Sequence, residues 1–150
     1  MVVSAFSVCS SIIVNFVFIS YFSYLNIFNI LKRINENMAK VLFLLITGKE
    51  APERAKLAVM TASRQVKARR YEDTKVLLYG PSEEYVTTLQ GEDKEAFSEM
   101  VKGGAVDSAC VGVAKMLGIE LKLKEMGVEL LRFGERLAFF VNNGYEVITF

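Results

Sequence analysis

Val41-Leu42-Phe43-Leu44-Leu45-Ile46 is an unbroken apolar run, and it constrains the fold more than any other stretch. A strand with one face in water alternates polar and apolar residues, whereas a strand covered on both faces does not. The run therefore predicts an inner strand of a parallel sheet. Parallel neighbours require crossovers of about a dozen residues, usually helical, so helices should alternate with strands from here on. They do so in the sequence. Lys75–Tyr79, Val106–Val111, Val128–Phe133 and Tyr145–Phe150 read as four further strands. The fold class that follows is α/β, a three-layer α/β/α sandwich on a mainly parallel five-stranded sheet.

The connecting helices have their own signals. The segment from Pro52 to Arg70 opens with Pro in its first turn and Glu53 behind it. Its stripe of Ala55, Ala58, Val59, Ala62 and Val66 should be buried, and Lys67, Arg69 and Arg70 suit its carboxyl end. Glu83–Leu89 reads as a helix capped by Ser82, and Asp93–Lys102 as another. Gly112 is read as a break, with a short helix over Val113–Leu117 closed by Gly118. Glu120–Met126 amounts to one or two helical turns. Gly134–Asn143 is expected to face Leu137, Phe140 and Val141 inward, with Gly144 ending it.

Residues 1–37 differ in character from residues 38–150, which divides the chain into a hydrophobic leader and one domain. Val2 to Leu31 contains no charge, and Lys32-Arg33 follow directly. A helix of that length spans a bilayer core of ~30 Å, and the basic pair would keep the domain cytoplasmic. Ser4, Ser7, Ser11 and Asn15 fall on one helical face, as packing between helices in lipid would use. A cleaved signal peptide fits poorly, because no basic segment precedes an apolar run that is too long. Three readings stand: a membrane anchor, a hydrophobic helix packing in a soluble protein, or upstream sequence preceding a true start at Met38.

The formal net charge of +1 gives no basic field for nucleic acid. The chain has no histidine, which removes Ser-His-Asp and Cys-His catalysis and imidazole zinc sites. Two cysteines, Cys9 and Cys110, cannot make a Cys-rich metal site, and their different settings argue against a disulfide framework. Thr47-Gly48-Lys49-Glu50 lacks the upstream Gly and the Lys-Ser/Thr ending of a phosphate loop, so neither a nucleotide nor a flavin cofactor is expected.

Cys110 is the candidate reactive group. It ends the strand in Gly103-Gly104-Ala105-Val106-Asp107-Ser108-Ala109-Cys110-Val111-Gly112 and stands just before a helix. Open α/β sheets place their chemistry at that edge. Unpaired N–H groups there favour a thiolate, so the thiol is expected to ionise below its free value of ~8.5. The backbone N–H groups of Val111, Gly112 and Val113 would support the charge, and Gly112 would admit a partner. A regular strand puts Asp107 on the opposite face, outside the site. A buried packing cysteine is the competing reading.

Four stretches in this order and spacing carry a resemblance to a known family. They are the first strand with Gly48-Lys49-Glu50-Ala51-Pro52-Glu53-Arg54-Ala55, then Val76-Leu77-Leu78-Tyr79-Gly80-Pro81, then Gly104 to Ile119 around Cys110, and last Gly144 to Phe150. Over residues 38–150 the chain resembles the DsrE/DsrF-like proteins of sulfur relay. The resemblance implies a flavodoxin-like domain that assembles as homotrimers or homohexamers, or with related subunits. It also implies a persulfide carried at the position of Cys110, received from a donor protein and handed to an acceptor. Many members of that family have no established activity. The two functions in play are thus a persulfide carrier, acting as a sulfurtransferase, and a non-catalytic oligomeric binding or regulatory module with Cys110 buried. Neither needs a cofactor or metal.

Overall fold

In a computed structural model, which describes residues 38–150, the apolar runs become the five strands of one wholly parallel sheet. Expectations for residues 1–37 lie outside the described residues. The strands are β1 (Lys40–Leu45), β2 (Asp73–Leu78), β3 (Val106–Cys110), β4 (Leu130–Leu131) and β5 (Tyr145–Thr149). Their spatial order is β4-β3-β2-β1-β5. The unalternating run predicted a covered strand, and Val41 to Leu45 are all buried in β1, an inner strand between β2 and β5.

Handedness decides which face each helix covers. β1 to β2, β2 to β3 and β3 to β4 each step one place in the same direction, so right-handed crossovers put their helices on one face. These helices are α1 (Pro52–Ala68), α2 (Pro81–Val86), α3 (Gly91–Lys102), α4 (Val111–Leu117) and α5 (Glu120–Glu125). They pack on Val41, Phe43, Leu45, Val76, Leu78 and Ala109 through Ala58, Val86, Phe97, Ala114 and Leu123. The step from β4 back to β5 runs the other way, so α6 (Phe133–Asn142) covers the opposite face. There Phe140 packs on Leu42, Leu44 and Leu77, with Phe133 and Leu137 partly buried beside it. The three layers are therefore unequal, with five helices against one among the described residues.

Several local expectations are corrected. Ser82 does not cap α2: Gly80 holds the N-cap position with φ 72°, a left-handed conformation suited to glycine. The Ser82 hydroxyl instead donates to the Leu45 carbonyl at 2.6 Å, fastening α2 to the end of β1. β4 is two residues long, not six, because it pairs with β3 alone at the sheet edge and only Ala109 and Cys110 match it. Val141 points outward at 53 % exposure, since a single sheet face gives α6 one buried stripe centred on Phe140. The helix after β3 begins at Val111, so Gly112 lies in its first turn and does not break it.

Candidate functional site

β3 and β4 are neighbours whose continuations part company. α4 leaves β3 toward one face, and α6, two residues after β4, covers the other. Where neighbouring strands diverge in this way, open α/β sheets bind ligands beyond the carboxyl ends of the strands. Cys110 stands there. It is the last residue of β3, pairs with Leu131 of β4, and occupies the N-cap position of α4 in extended conformation. The residue is a free cysteine and partly exposed.

Val111, Gly112 and Val113 form the first turn of α4, where backbone N–H groups have no intrahelical acceptor. A methyl group added at Gly112 would lie 3.8 Å from Cys110 Sγ, so the sulfur rests against this turn. All four residues singled out from the sequence are thus brought together. The seven-residue helix contributes these N–H groups locally.

The regular strand assumed for Asp107 is not what forms. β3 is not regular: Val76 pairs with Val106 but Leu77 pairs with Ser108, so Asp107 is an extra residue in a bulge. The bulge brings Asp107 to α6, where Arg136 holds it in a two-pronged ion pair, Nε to Oδ2 at 2.9 Å and Nη2 to Oδ1 at 2.6 Å. The Ser108 hydroxyl also donates to Oδ2 at 2.8 Å. Donating to the Asp107 carboxylate holds the Arg136 guanidinium further up than its ordinary value. This pair anchors α6 to the strand that carries Cys110, and its charges cancel.

Sequence reasoning missed Glu83. Its 0 % exposure places a carboxyl group wholly inside the protein. Oε1 accepts the Cys110 N–H at 3.1 Å, which satisfies the donor that β3 leaves unused at its end. Oε2 has no hydrogen-bond partner. Burial pushes the carboxyl from its ordinary value of 4.5 up to about 7, although the N–H groups of Cys110 and Gly80 offset part of that rise. The signal in the sequence was faint. Ser82-Glu83-Glu84 opens a helix, where acidic residues are ordinarily solvated and favoured by the dipole.

An aromatic pair completes the surroundings. Tyr79 follows β2 and Phe133 begins α6, and their rings stack with centroids 4.0 Å apart. β2 and β4 flank β3, so the pair bridges the two strand ends on either side of Cys110, on the α6 face. The site therefore combines a thiol, a first helical turn, a buried carboxyl without a cationic partner and an apolar neighbour. That set suits sulfur exchange, which needs an accessible thiolate and control of charge. Among the described residues no group of His, Cys, Asp and Glu could hold a metal ion.

No protein family model matches the chain, and no curated protein matches it. Solved structures do resemble it. A conserved protein of unknown function from Bacteroides thetaiotaomicron aligns with a TM-score of 0.61 at 18 % identity, over 74 % of this chain and 95 % of that one. The ychN protein from E. coli aligns with a TM-score of 0.56 at 18 % identity, over 75 % of this chain and 100 % of that one. At such identities the likeness concerns the fold. Among the described residues no helix is long and apolar enough to cross a membrane.

Proposed function

We propose that the domain is a persulfide carrier of the DsrE/DsrF kind, taking sulfane sulfur onto Cys110 and yielding it to an acceptor thiol. The observation that carries this reading is the placement of a free, partly exposed cysteine at the carboxyl end of β3, where the continuations of β3 and β4 diverge. The Cys110 thiolate attacks the outer sulfur of a donor persulfide. A Cys110–sulfur bond forms, the donor's sulfur–sulfur bond breaks, and the donor leaves as a thiolate. The acceptor thiolate repeats the step, so no net oxidation occurs and no cofactor is consumed. In this reading the first turn of α4, Val111 to Val113, supplies N–H groups without intrahelical acceptors beside the charge. The donor and acceptor are proteins in this reading, with nucleic acid playing no part.

Incubation with glutathione persulfide should add the mass of one sulfur atom to the peptide containing Cys110, and Cys110→Ser should abolish the adduct completely while leaving the fold intact. A native thiol that resists alkylation until the protein unfolds would overturn the carrier reading. The binding-module reading would then stand in its place. One observation favours that reading: a hollow of about 440 Å³ whose apolar floor of Val86, Leu89 and Phe97 is ringed by Lys94, Lys102 and Lys122.

The domain is proposed to assemble as a homotrimer or homohexamer, or with related subunits. Exposed Phe139 and Val141 on α6, and Val147 and Ile148 on the edge strand β5, support this. Light scattering at micromolar concentration should give a mass several times that of one chain, and a stable monomer would refute assembly. A cytoplasmic location suits a lone thiol that must stay reduced. A tether through residues 2–31 would keep the domain on that same side of the membrane.

A further inference from the structure

The hollow floored by Val86, Leu89 and Phe97 follows from side-chain spacing on the helices around it. Lys94, Ser98 and Lys102 recur every four residues along α3, so one helical face carries a small residue between two long ones. On α5, Lys122 stands three residues before Glu125 and four before Met126, and all three line the hollow. Its volume of about 440 Å³ lies within the range of small-molecule sites. Among the described residues, none from β3, β4 or α4 lines it, so it is separate from the Cys110 site.

The acids nearby do not neutralise its three lysines. Asp93 of α3 pairs with Lys56 of α1 at 3.4 Å, and Glu99 of α3 pairs with Lys67 of α1 at 2.7 Å. Glu99 also feels Lys102, more weakly than it feels Lys67. Glu92 and Glu95 are exposed and do not line the hollow. Among the described residues Lys94, Lys102 and Lys122 form no ion pair. Glu125 is the one acid in the lining, which leaves a surplus of two positive charges around an apolar floor.

We infer that this hollow binds a small organic phosphate monoester, its apolar body on Val86, Leu89 and Met126 and its phosphate among Lys94, Lys102 and Lys122. The charges match, because a phosphate monoester carries between one and a half and two negative charges near neutral pH, as the ~1.5 to 2 of a phosphorylated side chain illustrates. Lysine serves such a group as a point charge. The apolar body supplies what inorganic phosphate lacks, removal of hydrocarbon surface from water. The inference stands whether or not Cys110 carries sulfur, since the two sites share no residue.

The test is calorimetric titration of the full chain with 1-naphthyl phosphate, alongside 1-naphthol, which lacks the charge, and inorganic phosphate, which lacks the body. The monoester should bind about tenfold or more tightly than either. Lys94→Gln, Lys102→Gln and Lys122→Gln should each weaken it about two- to fivefold, and the three together about tenfold or more. Raising the salt concentration should weaken it further. Methyl signals of Val86, Leu89 and Met126 should shift on titration, while those of Leu42 and Leu44, on the opposite sheet face, stay in place. Cys110→Ser should bind with unchanged affinity, so failure here and failure of sulfur uptake are read separately. Equal binding of 1-naphthol, or affinity indifferent to all three lysines, would overturn the inference. Should the variants not fold, unshifted Val86, Leu89 and Met126 methyls at millimolar ligand overturn it on the unaltered protein, since the hollow would then be closed by a second copy or by other parts of the chain.

Discussion

Gly48→Val should cost the domain about 3 kcal/mol or more of stability, at the upper end of what overpacking brings. A Cβ at residue 48 would stand 2.4 Å from the Pro81 carbonyl oxygen and 2.6 Å from its carbon, and both are backbone atoms. Neither can retreat easily. Ser82, next in the chain, donates its N–H to the Ile46 carbonyl at 3.1 Å and its hydroxyl to Leu45. Relief requires α2 to move off the end of β1, and Glu83 rides on α2. Urea unfolding measures the loss, and Gly112→Ala is the control, because a methyl there meets Cys110 Sγ at an ordinary 3.8 Å. Equal stability of the two variants would mean that the loop after β1 yields freely.

The second large effect is a dependence of stability on pH. Glu83 is neutral in both the folded and unfolded chain at low pH. Between 4.5 and about 7 the unfolded chain releases the proton while the folded domain retains it, which favours unfolding. Glu83 thus contributes stability that is fully present below 4.5 and lost as the pH passes about 7. A displacement of that size corresponds to about 3 kcal/mol. Other carboxyl groups titrate over the same interval, so the comparison with Glu83→Gln isolates this one. Unfolding free energies at pH 5 and pH 8 should fall by about 2–3 kcal/mol more in the unaltered protein than in the variant. Identical changes in both would show that the carboxyl is solvated in the folded state.

The framework of the fold was legible because burial on two faces leaves a direct trace in composition. Val41 to Leu45 declared an inner strand, Pro52 a helix start, and Gly118 a helix end, which it closes in left-handed conformation. What escaped depends on contacts between distant segments. The bulge at Asp107 is a matter of register between β3 and β2, and the partner that exploits it, Arg136, lies 29 residues further on. Glu83 carries the residue type of a solvated helix start and is buried only because α2 closes over the end of β3. Cys110 itself could be read in place, since a strand ending beside a helix start is a local pattern. Its companion acid could not.

The inner strand β1 also has an unusual history in time. β1 pairs on one side with β2, which follows after one helix, and on the other with β5, in register Lys40 with Tyr145. During synthesis β1 emerges with one hydrogen-bonding edge satisfied early and the other open until nearly the whole domain has been made. Phe150 then ties back as well, its carbonyl accepting the Ile46 and Thr47 N–H groups and its own N–H reaching Leu44. Pairing over so long a loop is slow, because closure entropy must be met before the contacts form. The last strand to be made is therefore the one that seals the most apolar edge of the nascent sheet, and a ribosome paused short of β5 would hold out an unpaired strand of leucines.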